Sequence, residues 1–122
     1  MGLETEISRL SNKDVRVRRR AVRSLFDENN PAALKGFVPL LTDNDSWFRS
    51  KSLDAHRKWA KLSDDLIPLM KEHKRVVGEL LEKVDAPDIA RELLEESDHI
   101  IRSFAAKSLA KTKLKILIIE QD

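Results

Sequence analysis

Three nine-residue stretches of the chain align without a gap: VRRRAVRSL at 17–25, FRSKSLDAH at 48–56 and IRSFAAKSL at 101–109. Each reads apolar residue, arginine, two variable residues, a small residue, three more, then leucine or histidine. A short unit of this kind cannot bury its apolar stripe alone, so a chain built from such units must stack them side by side. The first two arginines, Arg18 and Arg49, are 31 residues apart, and the next gap, to Arg102, is 53. That second gap is close to two periods of about 27, which predicts one more unit between them.

The remaining composition suits helices. Three glycines and four prolines leave long stretches of Lys, Glu, Leu, Ala and Arg uninterrupted. Apolar residues make up 41% of the 122 positions, enough for one folded core and one domain spanning 1–122. With no cysteine the chain has neither disulfides nor thiolate metal sites, which fits a reducing compartment. No secretory signal opens it, and no apolar run approaches the ~18 residues of a membrane span. The expectation is a soluble cytoplasmic protein without membrane contact. The net charge is only +2, so any affinity for anions must come from local clustering.

Turn and capping residues divide the chain into about seven helices. Leu3, Ile7 and Leu10 give a short amphipathic first helix. A second, capped by Asn12 or Asp14, runs to about Glu28, and Asn29-Asn30-Pro31 ends it. A third spans Ala32 to Leu41, with Pro39 near its end, and a fourth spans Ser46 to Leu62 after the polar turn 42–45. Leu66, Met70, His73, Val77, Leu80 and Val84 recur at 4-3-4-3-4, the spacing of one amphipathic helix whose buried side excludes Arg75. The unit expected there is therefore either degenerate or replaced by one long helix over 63–84. A short helix from Asp88 to Glu95 and a last one from about His99 complete the chain, giving clear repeats at about 3–28, 31–62 and 87–112.

A polar turn residue followed by Val-Arg, a small residue and a leucine resembles the signature of HEAT and HEAT-like repeats. Asp43, six residues before Arg49, fits that pattern, and Asn12 before Arg18 fits it more loosely. The resemblance covers about two-thirds of the chain and fades between 63 and 86. It implies an all-α fold, a short right-handed α-solenoid of antiparallel helix pairs, with the Val-Arg helices lining a concave face. It implies structural roles for Arg18, Arg49, Arg102 and Asp43, the arginines bonding across to neighbouring turns. Trp-Phe-Arg at 47–49 is also similar to a tryptophan-basic stretch of alkylpurine DNA glycosylases built from such repeats, although no catalytic aspartate can be placed here.

On a helical wheel, DVRVRRRAVR at 14–23 holds two kinds of arginine. Arg18 projects from the apolar side among Val15, Val17, Ala21, Val22 and Leu25. Arg16, Arg19, Arg20 and Arg23 share an arc of ~100° on the other side. No acid is interleaved to form stabilising i,i+4 pairs, and like charges at that spacing cost stability. Alignment on Arg49 places Trp47 and Lys51 on the same stripe, which Lys58 continues; Lys107 follows in the last repeat beside Ile100, Phe104 and Lys111. Trp59 falls on the buried side with Phe48 and Leu53. Tryptophan and arginine dominate interface energetics and also stack on bases. The stripe therefore predicts binding of an acidic protein partner, with nucleic acid as the alternative.

No catalytic, cofactor or metal motif accompanies it. His56 stands where the other repeats have Leu25 and Leu109 and reads as a core histidine; His73 lies on an apolar side and His99 in a capping turn. No two histidines have helical metal spacing, and the three glycines are isolated at 2, 36 and 78. The expectation is a non-enzymatic scaffold. The closing KTKLKILIIEQD carries no helix stop and is apolar most of the way round, which predicts that the last helix continues through it and that its apolar surface is covered in one of three ways: by packing back on the long helix, by a second copy in a homo-oligomer, or by further repeats.

Overall fold

The computed structural model describes residues 2–120. Among them every regular element is helical, with seven α-helices, three 3-10 segments and no strand, so the chain is all-α. They group into two compact units, divided between Ala60 and Lys61. None of the described helices is long and apolar enough to cross a membrane.

The first unit holds α1 (Leu3–Arg9), α2 (Val15–Glu28), α3 (Leu34–Phe37) and α4 (Ser46–Trp59). Helix α2 starts where Asp14 accepts the Arg16 backbone N–H at 2.9 Å, and it stops at Asn29, in the left-handed region with φ 55°. Asparagine tolerates that conformation better than most residues. The third helix expected over Ala32–Leu41 is instead a 3-10 turn (Pro31–Ala33), α3, and a second 3-10 segment (Val38–Thr42). Pro39 explains the second change: it has no N–H to donate, and its ring crowds the preceding turn.

Helix α1 packs on α2, and the segment 31–42 packs on α4. The approach of α3 to α1 requires Gly36, where an added Cβ would stand 2.8 Å from Ile7 Cγ2 and 3.0 Å from Leu10 Cδ1. Ala21, Val22 and Leu25 of α2 form the core with Phe37, Leu40, Leu41, Phe48, Ala55 and Trp59. Phe26 stacks on Trp59 at 5.1 Å and meets Phe37 edge-on at 5.4 Å. His56 is fully buried, with Nδ1 2.7 Å from the Ser52 carbonyl oxygen, and the Ser52 hydroxyl donates to the Phe37 carbonyl at 2.6 Å.

The Trp59 indole N–H donates to Asn29 Oδ1 at 2.9 Å. Asn29→Gly keeps the left-handed turn but strands this donor, so a loss of about 1 kcal/mol is expected in urea unfolding. A gain in stability would mean that the backbone conformation, and not the hydrogen bond, is what Asn29 supplies.

The second unit holds a 3-10 segment (Ser63–Leu69), α5 (Lys74–Leu80), α6 (Pro87–Leu93) and α7 (His99–Glu120). The single helix read from the 4-3-4 spacing does not form. Asp65 accepts the N–H groups of Lys61 and Leu62, Pro68 sits inside the tight 3-10 turns, and His73 at φ −133° breaks the path before α5. The 3-10 segment thus carries Leu66 and α5 carries Val77 and Leu80, while Met70, His73 and Val84 fall in the turns between and after them. Arg75 has its own anchor: it donates to Asp98 at 3.1 Å, beside a Lys74–Glu96 pair at 3.0 Å. Helix α7 packs on both α5 and α6.

Candidate interaction surface

The repeated sequence unit has a repeated geometry. Asp14, Asp45 and Asp98 each accept the backbone N–H two residues on, at 2.9, 2.9 and 2.8 Å, opening α2, α4 and α7. Four residues after each aspartate comes the arginine of the repeat. Arg49 donates to the carbonyls of Asp43 (2.7 Å) and Asn44 (3.0 Å). Arg102 does the same at Glu96 and Ser97, both at 2.8 Å. Each closes the turn before its own helix. Arg18 instead reaches Asp43 Oδ1 at 2.7 Å, with its guanidinium 4.2 Å from the centre of the Phe48 ring.

Asp43 therefore serves two partners, because its other oxygen accepts the Asp45 N–H at 2.9 Å. Burial pushes its carboxyl upward, but the Asp45 N–H and the Arg18 guanidinium outweigh that and hold it below the usual carboxylate range. Asp98 is lowered chiefly by the Ile100 N–H, with help from Arg75.

The other four arginines of α2 face outward to different degrees. Arg16 and Arg20 are exposed, as is Arg23, while Arg19 is half-buried. Two of them have acids that the wheel did not supply. Arg16 folds back on the cap Asp14 at 3.2 Å, which raises the arginine and lowers the aspartate. Arg19 lies 3.7 Å from the cap Asp45. Arg20 and Arg23 make no ion pair among the described residues.

Trp47 is the centre of the surface. It is half-buried, its ring edge-on to Phe48 at 5.0 Å. Three cations surround it: Lys51 at 5.5 Å, Arg23 at 5.9 Å and Arg19 at 6.0 Å from the ring centre. The Lys51 ammonium also lies 5.9 Å from the Phe26 ring. Val22, Arg23, Phe26, Asp27, Trp47 and Lys51 line a cleft of about 280 Å³ here. Its walls are apolar and its rim is cationic, with Asp27 the one acid.

The expected single stripe is thus divided. Arg20 opens on a different groove, of about 430 Å³, with Glu6, Arg9, Val17, Ala21 and Ser24. Lys58 is exposed toward the end of α4 and lines neither cleft. Lys107 belongs to the second unit, where it lines its own cleft of about 340 Å³ with Leu81, Glu82, Phe104, Ser108 and Lys111. Phe26 and Asp27 are the members that the wheel did not mark, because they approach Trp47 only when α2 and α4 are brought together.

Chemically, the cleft can hold an apolar side chain against Phe26 and Trp47 while Arg23 and Lys51 meet carboxylate or phosphate oxygens. Among the described residues no group of three or more His, Asp or Glu could hold a metal ion. No family model matches the chain, and no curated protein or solved structure was found to be similar to it.

Proposed function

We propose that the chain is a non-enzymatic binding module of HEAT-like helical pairs whose first unit recognises an acidic protein segment at the Trp47 cleft. The repeat reading is supported by the matched aspartate caps and by Arg49 and Arg102, which close their turns through the same pair of carbonyls. One observation carries the functional reading: Arg23 and Lys51 lie beside Trp47 with no ion pair of their own among the described residues. Cations placed against aromatic rings are restrained before a ligand arrives, so less ordering entropy is lost when carboxylates bind. A net charge of only +2 and Asp27 at the cleft suit a mixed apolar and acidic peptide better than a continuous phosphate backbone, which favours protein over nucleic acid.

The test is a titration with a fluorescent peptide in which Asp and Glu flank leucine and phenylalanine, alongside DNA and RNA oligonucleotides, at low and near-physiological salt. The peptide should remain bound near physiological salt, and Arg23→Glu/Lys51→Glu should weaken it tenfold or more, ~1.4 kcal/mol at the least. Oligonucleotide binding should fall steeply with salt. Oligonucleotides holding on at physiological salt while the peptide does not would overturn the reading in favour of nucleic acid.

A further inference from the structure

Helix α7 leaves its unit with its apolar residues bare. In its first half Ile101 and Ala105 are buried, and Leu109 and Thr112 are half-buried. Continuing that inner side at helical spacing come Ile116 and Ile119, yet both are exposed, as is every residue from Lys113 to Glu120. Leu114, Leu117 and Ile118 lie on the opposite side. The five large aliphatic residues are 46–71% exposed. Scattered exposed aliphatics are ordinary, but five within six consecutive positions form a contiguous patch of the kind that marks an interaction site.

The distribution around the helix selects the occupant. A flat surface or a one-sided groove covers one side of a helix, and this segment is apolar on two. Lys111 and Lys115 line clefts with Glu82 of their own chain, while the same unit exposes Glu92 and Glu95 at the end of α6, away from those clefts. The unit thus carries both members of a complementary pair of charges, the condition for a self-complementary contact.

We infer that the Lys111–Glu120 segment of α7 is the docking surface for a second copy of this chain, in a two-fold dimer. Each tail lies against the tail of the other copy on one side and against the glutamate-bearing body of the other copy on the second. The contact covers Leu114, Leu117 and Ile118 on one side and Ile116 and Ile119 on the other, and it places the lysines against the glutamates. It does not depend on the Trp47 cleft.

Sedimentation equilibrium of the full chain, from about 1 to about 100 µM, tests this directly, since a dimer's apparent mass rises with concentration. The expected result is a mass approaching two chains at the upper end. Leu117→Gln/Ile118→Gln should weaken the association tenfold or more while leaving the helical circular dichroism unchanged, because both residues are solvent-exposed in the single chain. Lys113→Glu/Lys115→Glu should weaken it too without removing apolar surface. A single-chain mass at every concentration would overturn the inference. So would association that neither variant disturbs, or a monomer whose tail binds vesicles of anionic lipid.

Discussion

Phe48→Ala is expected to lower the stability of the first unit by ~3–5 kcal/mol, a large part of the ~5–15 kcal/mol that a domain of ordinary stability possesses. Phe48 is fully buried, and it joins the core to the candidate surface. One face of its ring lies 4.2 Å from the Arg18 guanidinium, and Trp47 meets it edge-on at 5.0 Å. Alanine would leave a cavity, strip Arg18 of the ring it lies over and free Trp47 to tilt. Both tryptophans, Trp47 and Trp59, belong to this unit, so urea unfolding followed by their fluorescence places the probe in this unit. Phe48→Leu separates the contributions: it restores most of the volume but no aromatic face, and should cost about 1–2 kcal/mol. A loss below ~1 kcal/mol for Phe48→Ala would mean that the site collapses around the missing ring and that the core does not hold the surface in place.

The same contacts show how far the residues alone can be read. Helices α2 and α4 are visible because cap, apolar spacing and arginine coincide in each, and the two kinds of arginine in DVRVRRRAVR separate on a wheel. What a wheel cannot contain is the chain beyond its own helix. Asp14 and Asp45 appear in the sequence as caps, yet their outer oxygens turn to Arg16 and Arg19, halving the unpaired charge that the arginine run suggests. The Trp47 cleft depends on Phe26 and Lys51 meeting across two helices 25 residues apart in sequence. Spacing misleads over 66–84 for a different reason. A 4-3-4 run is satisfied equally by one long helix and by two short ones with a bend, and Pro68 decides between them through a missing N–H that apolar periodicity ignores. Pro39 does the same to the segment 31–42.

Asp43→Ala should cost about 2–4 kcal/mol at neutral pH, and its pH dependence identifies the cause. The carboxylate accepts from Arg18 at 2.7 Å and from the Asp45 N–H at 2.9 Å, with only 17% of its side chain exposed. Alanine would leave the partly buried Arg18 without its anion and the turn before α4 without its acceptor. Asp43→Asn keeps one acceptor and removes the charge, so about 1–2 kcal/mol is expected. The native carboxyl is held below its ordinary range, so its charged form favours the folded chain. That contribution is complete above the unfolded value of about 3.9 and is lost as pH falls through the lowered native value. Urea unfolding from neutral to strongly acidic pH should therefore show a constant gap between wild type and Asp43→Asn down to about pH 4, closing below it. Asp14 and Asp98 titrate in the same direction in both proteins and cancel in the difference. A gap that stays open in strong acid would assign the role of Asp43 to hydrogen-bond geometry, with charge contributing little, and Arg18 would then be held chiefly by the face of Phe48.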